Sequence, residues 1–185
     1  LFSREQLVQW FDSSSLSKSA AQFDPEKLKW VNAHYMKQAD KSMLLTDLTE
    51  RMAKAGYSTE GGPALADVLD VVLERASTLV ELREEANLFY RDVTAPAEEL
   101  QAMLDDGVIA ALRDFSDRLD SIDMNVEAVG ALVKDVLKAH NLKMPKLAMP
   151  IRLLLTGIKQ TPSIDKVIVL LGKAKVQARI AAGLS

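Results

Sequence analysis

The chain has 185 residues, 48% of them hydrophobic, no cysteine and a formal net charge of −3. That length holds one ordinary domain or two small ones, and that apolar fraction can bury a core, which excludes a disordered chain. Without cysteine there is no disulfide and no thiolate metal site, and no apolar run nears the roughly 18 residues that a membrane-spanning helix needs.

Leu1–Trp10 lacks the basic start and long apolar centre of a signal peptide, and a chain that does not open on Met is expected to begin inside a longer protein. Leu1–Phe11 predicts a short amphipathic helix. Ser3 is its N-cap, with Gln6 at capping-box spacing and Leu7, Val8, Trp10 and Phe11 as a buried face. The polar Ser13–Ser19 predicts a loop. Asp24-Pro25 opens the next helix, with Asp as N-cap and Pro at the first helical position. On it Leu28, Val31 and Tyr35 recur at helical spacing as core, and Trp30 is expected inside as well. Lys27 and His34 lie on neighbouring faces, and His34 has no companion at metal-ligand spacing.

Asp40–Ala55 predicts a helix with Met43, Leu44, Leu48 and Met52 on one side, ended by Gly56. Gly61-Gly62-Pro63 reads as a turn and Pro63 as the start of one long helix to about Tyr90, with Leu65, Val68, Leu69, Val72 and Leu73 inward. Arg75 on that helix is either a surface arginine paired with Asp70 or Glu74, or a group free to meet a ligand. Asp92–Pro96 links two helical parts. Ala97–Leu104 and Gly107–Leu119 are helices with acidic faces. Asn125–Ala139 follows, with Val126, Val129, Val133 and Leu137 inward and Asn141 as its end. No stretch alternates with period 2 between strand signals, so the fold class is all-α.

Lys143–Ile164 stands apart. It is broken twice by proline, at Pro145 and Pro150, and holds four cations with no acid between them: Lys143, Lys146, Arg152 and Lys159. Thr161-Pro162 is expected to cap and start a helix over Ser163–Leu171. Gly172 breaks it, and Lys173–Ala182 closes the chain. Residues 131–185 hold ten Lys/Arg against two acids, a balance of +8, whereas the first 130 hold 13 against 24, or −11. A basic third on an acidic body is the footprint of phosphate binding. The plainer readings are a solvated basic rim and two halves that attract each other.

Three segments carry a resemblance. Met149-Pro150-Ile151-Arg152-Leu153-Leu154-Leu155-Thr156-Gly157, followed by Thr161-Pro162 and Leu170-Leu171-Gly172-Lys173, resembles the C-terminal part of bacterial glutamyl-tRNA synthetases. Phe23-Asp24-Pro25-Glu26-Lys27-Leu28-Lys29-Trp30-Val31-Asn32-Ala33-His34-Tyr35 is similar to a second motif of that family, and Arg75-Ala76-Ser77-Thr78-Leu79 to a third. Pro145 departs from the family, which often has glycine there. Leu16-Ser17-Lys18-Ser19 is not the family's KMSKS loop, which lies well upstream and needs a second lysine.

The resemblance implies two small helical anticodon-binding subdomains, residues 40–93 and 94–185, preceded over 1–39 by the end of a domain that contacts the tRNA stem. It implies that Arg75 reads the last anticodon base. A guanidinium only donates, so it suits the O2 and N3 acceptors of cytosine and not the donor edge of guanine. Thr161, Pro162 and Ile164 would hold the first two anticodon bases, and Arg152 would meet a phosphate or brace the loop. Lys146 and Lys173 would meet phosphates, and Lys27 and Trp30 the stem.

The implied partner is tRNA(Glu). A cytoplasmic location and a monomer are expected, with no DNA and no membrane. ATP and Mg2+ would serve the full-length ligase. No cofactor, metal site or catalytic residue is expected in this chain, because His34 and His140 have no evident partner acid and no phosphate loop or nucleophile motif occurs. The alternative function is an all-α protein-interaction module docking a helix on Leu153-Leu154-Leu155.

Overall fold

The computed structural model describes residues 1–16, 19–20 and 22–185, and every element among them is helical. Helix α1, Arg4–Trp10, opens on the expected capping box: Ser3 Oγ accepts from the Gln6 amide at 3.2 Å, and Gln6 Oε1 accepts from the Ser3 amide at 2.9 Å. Its apolar face is not buried. Leu7, Val8, Trp10 and Phe11 are 54–72% exposed, because no other described helix packs substantially against α1. The polar stretch that follows contains a short 3-10 turn at Ser13–Ser15. Ser17 and Lys18, on which the comparison with the KMSKS loop turned, lie outside the described residues.

Helix α2, Pro25–Gln38, starts where Asp24 accepts from the amides of Glu26 and Lys27 at 3.0 and 3.1 Å. It is turned away from the expected face. Met36 is its buried residue, whereas Leu28, Trp30 and Tyr35 are exposed and Val31 is half-buried. The cause is where α2 is tethered. Asn32 Nδ2 donates to the Ser77 carbonyl at 2.5 Å and Lys37 pairs with Glu74 at 2.7 Å, so the 32–36–37 side faces the protein.

Helix α3, Lys41–Lys54, buries Leu44, Leu48 and Met52 at i, i+4 and i+8. Met43, one step off that stripe, is exposed. Gly56 ends the helix with φ +75°, its amide on Ala53 and the Tyr57 amide on Met52, the paired bonds of a Schellman turn.

The long helix expected over 63–90 is two helices, α4 (Leu65–Val72) and α5 (Leu79–Asn87). A local competitor breaks it. Thr78 is extended, with φ −140°, and its Oγ1 accepts from the Glu81 amide at 3.1 Å. Thr78-Leu79-Val80-Glu81 is a Thr-x-x-Glu start signal inside an otherwise helical pattern.

The second half runs α6 (Ala97–Gln101), α7 (Asp106–Arg118), α8 (Val126–Ala139), α9 (Met144–Thr156), α10 (Ile164–Leu171) and α11 (Lys173–Gly183). Asp105 caps α7 and Asn125 caps α8. Val126, expected inward, sits at the rim of α8's first turn and is exposed. Asn141 ends α8 at φ +53°, a conformation that Asn tolerates better than most residues.

The two prolines do not break α9. Pro145 lies in the first turn, where an amide would have no helical partner, and Pro150 is accommodated inside the helix and buried. Gly157, at φ +75°, terminates α9 with its amide on Leu153 at 2.8 Å. Ser163, not Thr161, stands at the start of α10, and Gly172 separates α10 from α11.

One apolar core runs from Met36 to Ile180, with Leu147, Ile151, Leu154 and Leu155 of α9 inside it. Leu153 is buried too. The Leu153-Leu154-Leu155 face on which the docking alternative depended is therefore interior.

Candidate nucleic-acid interface

The starts of α8 and α10 and two turns of α9 enclose an open groove of about 670 Å³. Val126, Gly130, Met144 and Ile164 supply its apolar lining, Lys134, Arg152 and Ser163 its donors, and Glu127, Asp135 and Asp165 its acids. Arg152 is the most constrained of these. It projects from α9, half-buried, and its Nη1 donates to the Lys159 carbonyl at 3.4 Å. Its Nε is buried and has no hydrogen-bond partner among the described residues. A donor withdrawn from water and left unpaired costs on the order of 1–3 kcal/mol, and an incoming acceptor reaches this one only if the Arg152 side chain moves.

The loop after α9 is shaped from within. Thr156 Oγ1 donates to the Arg152 carbonyl at 2.8 Å and accepts from the Ile158 amide at 3.4 Å. Thr161 and Pro162 are both buried, and Thr161 Oγ1 donates to the Pro162 carbonyl at 2.9 Å. The flat apolar contact expected of Pro162 is turned inward, and Thr161 does not cap the helix. Exposed Ser163, whose hydroxyl makes no capping bond, and half-buried Ile164 face the groove instead.

The two lysines expected at phosphates, Lys146 and Lys173, are engaged, and so is Lys159 of the same basic segment. Lys146 pairs with Asp105 at 3.3 Å, Lys159 with Glu99 at 2.6 Å, and Lys173 donates to the Asp120 carbonyl at 3.3 Å. Among the described residues the exposed Lys134, Lys138 and Lys143 have no such partner. Lys134 and Ser163, which line the groove, were not singled out in the sequence. Their signals were there: Lys134 and Lys138 are four apart on the polar side of α8, and Ser163 directly precedes an apolar helix.

Arg75 lies in the turn after α4, not on a helix. Its Nε meets Glu85 Oε2 at 3.1 Å, whereas Asp70 and Glu74 are taken by Lys41 and Lys37. It does not line the groove. Lys27 and Trp30 are elsewhere again, exposed on α2, with Trp30 stacked on His34 at 6.0 Å between ring centroids. His140, which has no evident partner in the sequence, meets Asp114 at 3.1 Å.

Residues 43–184 match the model of a family described as the anticodon binding domain. The chain belongs to that family. This anticodon-binding domain is similar to the glutamate–tRNA ligase of Ralstonia nicotianae, with 49% identity over 183 residues, covering 98% of this chain and 39% of that protein. It is similar to that of a Janthinobacterium species, with 47% identity over 184 residues, covering all of this chain and 40% of the relative. The chain thus spans about two-fifths of the length of the curated relatives it matches. A crystal structure of a glutamate tRNA ligase from Elizabethkingia meningosepticum, in complex with its amino acid, superposes with a TM-score of 0.83. The pair is 20% identical, and the match covers 97% of this chain and 36% of the other. The glutamate-tRNA synthetase of Elizabethkingia anophelis gives 0.81 at 20% identity, covering 97% and 35%. Those two likenesses establish the shared helical fold.

Proposed function

We propose that this anticodon-binding domain is the tRNA-reading part of a glutamate–tRNA ligase, with tRNA(Glu) as its partner. The observation that carries the reading is the groove at the starts of α8 and α10, where Arg152 stands beside Lys134, Ser163 and Ile164. An unstacked base offers acceptors and a flat apolar face, and its phosphate a negative charge, and these match the groove's donors, apolar lining and cations. Arg75 reads the third anticodon base from the turn after α4, and exposed Lys27 and Trp30 meet the stem. Lys146 and Lys173 contact phosphates after exchanging their present partners. Thr161 and Pro162 support the groove wall from inside and set Ser163 and Ile164 in place.

The division at 1–39, 40–93 and 94–185 belongs to the same reading, as do a monomeric state and a cytoplasmic setting. Ligation of glutamate, with ATP and Mg2+, falls to the rest of such a ligase. Among the described residues no group of three or more His, Asp or Glu side chains stands together. The exposed apolar faces of α1 and α2 suit cover by another part of the enzyme.

The test is a low-salt titration of the 185-residue chain with two anticodon stem-loops, ending in cytosine or guanine at the third anticodon base. Binding that weakens steeply with salt and prefers cytosine is expected. Salt-insensitive binding, or none, would overturn the reading.

A further inference from the structure

Lys175 and Arg179 lie one turn apart on one face of α11, and both reach carbonyls of the first half. Lys175 Nζ donates to Gly61 O at 3.2 Å and Arg179 Nη2 to Arg91 O at 3.1 Å. The other arm of the same guanidinium, Nη1, donates to Leu155 O, near the end of α9. Arg91 returns the contact: its Nη2 donates to Thr156 O at 2.8 Å. Two arginines therefore cross-tie the end of α9 to residue 91, where the connecting segment begins.

This arrangement is costly as mere packing. Burial, and secondarily Arg91, pushes the Arg179 guanidinium below its ordinary pKa, opposed by the charge of Asp92. Among the described residues neither arginine has a carboxylate at ion-pair distance. The partial negative charge of the last carbonyls of α9 offsets the repulsion.

The carbonyls of the first half are presented together. Tyr90 donates its hydroxyl to Pro63 O at 2.9 Å, and its ring lies so close to Gly62 that an added Cβ would fall 2.3 Å from it. This packing brings the 61–63 turn and residues 90–91 side by side, facing α11.

We propose that Lys175 and Arg179 are positioning residues, which hold helices α3–α5 and helices α7–α11 at one angle and so set the separation between Arg75 and the Arg152–Ile164 groove. The RNA-reading part of this inference rests on the proposed function. The clamp itself does not.

The test uses the absence of cysteine. Spin labels on Ala53→Cys and Ala139→Cys, both exposed helix positions, report the distance between the halves. A narrow distribution is expected for the parent and a broad one for the Lys175→Met/Arg179→Met pair. The pair should also lose, several-fold, its preference for the cytosine-ending over the guanine-ending stem-loop. Arg179→Lys, which keeps the charge but reaches only one carbonyl, should fall between, and circular dichroism should show unchanged helix content in both. Equal distance widths in parent and variants would overturn the clamp. Broadening without any loss of base preference would overturn its positioning role. If the parent binds neither loop, the tRNA reading fails by itself, and the distance widths alone uphold or overturn the clamp.

Discussion

Arg75 Nε stands 3.1 Å from Glu85 Oε2, across the turn that separates α4 from α5. The carboxylate takes the inner nitrogen and leaves both terminal nitrogens of the guanidinium without a partner among the described residues. Glu85 thus aims Arg75 without using up its outer donors.

Glu85→Gln is therefore expected to change stability by about 1 kcal/mol or less, since the pair is partly solvated. It should reduce the preference for cytosine at the third anticodon base, and Arg75→Ala should abolish it. Thermal unfolding and paired titrations with the two stem-loops check this. Equal preference in parent and Arg75→Ala would remove Arg75 from base reading.

Lys146 pairs with Asp105, which also caps α7 through the Val108 amide at 2.9 Å. Both contacts hold the Asp105 carboxyl below its ordinary pKa, the backbone bond foremost. Asp105→Asn keeps a good cap and releases Lys146, so RNA affinity should rise with little change in stability. Lys146→Ala should weaken binding and flatten the slope of log affinity against log salt by about 0.7–0.9, the value of one phosphate contact.

Leu155 is fully buried, whereas Leu7 is 54% exposed. Leu155→Ala should cost about 2–5 kcal/mol, and Leu7→Ala about 0.5 kcal/mol or less. Denaturant unfolding separates them. A mild Leu155→Ala would mean that α9 is not the centre of the core.

The Tyr90 hydroxyl is pushed up to about 12 by burial, with the Asp67 charge adding to it. Its folded value lies above the unfolded one of about 10, so the folded state holds the proton more tightly. The stability it contributes is complete below pH 10 and is lost as pH rises through 12. Tyr90→Phe should show a shallower alkaline loss of stability than the parent. Identical alkaline profiles would show that Tyr90 is solvated.

Local chemistry made much of this fold legible. Ser3 and Asp24 cap the helices their sequence context announces, and Gly56 and Gly172 mark helix ends, because these bonds lie within a few residues of chain. The basic segment around Arg152 and its resemblance to one family were equally readable, and the Thr78-Leu79-Val80-Glu81 signal was present though outweighed by an apolar repeat. What required the tertiary structure was which way each face points. Periodicity defines an apolar stripe but not the surface it meets. Asn32 and Lys37 turned α2 so that Met36 is buried and Trp30 exposed, and no other described helix packs substantially against the apolar side of α1. The same limit governed the site. Charges distant in sequence determined which lysines are free, as Asp105 did for Lys146 and Glu99 for Lys159. Packing against the core turned Thr161 and Pro162 inward and left Ser163 and Ile164 at the groove. Residue types and their spacing determined an all-helical chain with a basic C-terminal third. Long-range packing alone decided which donors still lack an acceptor.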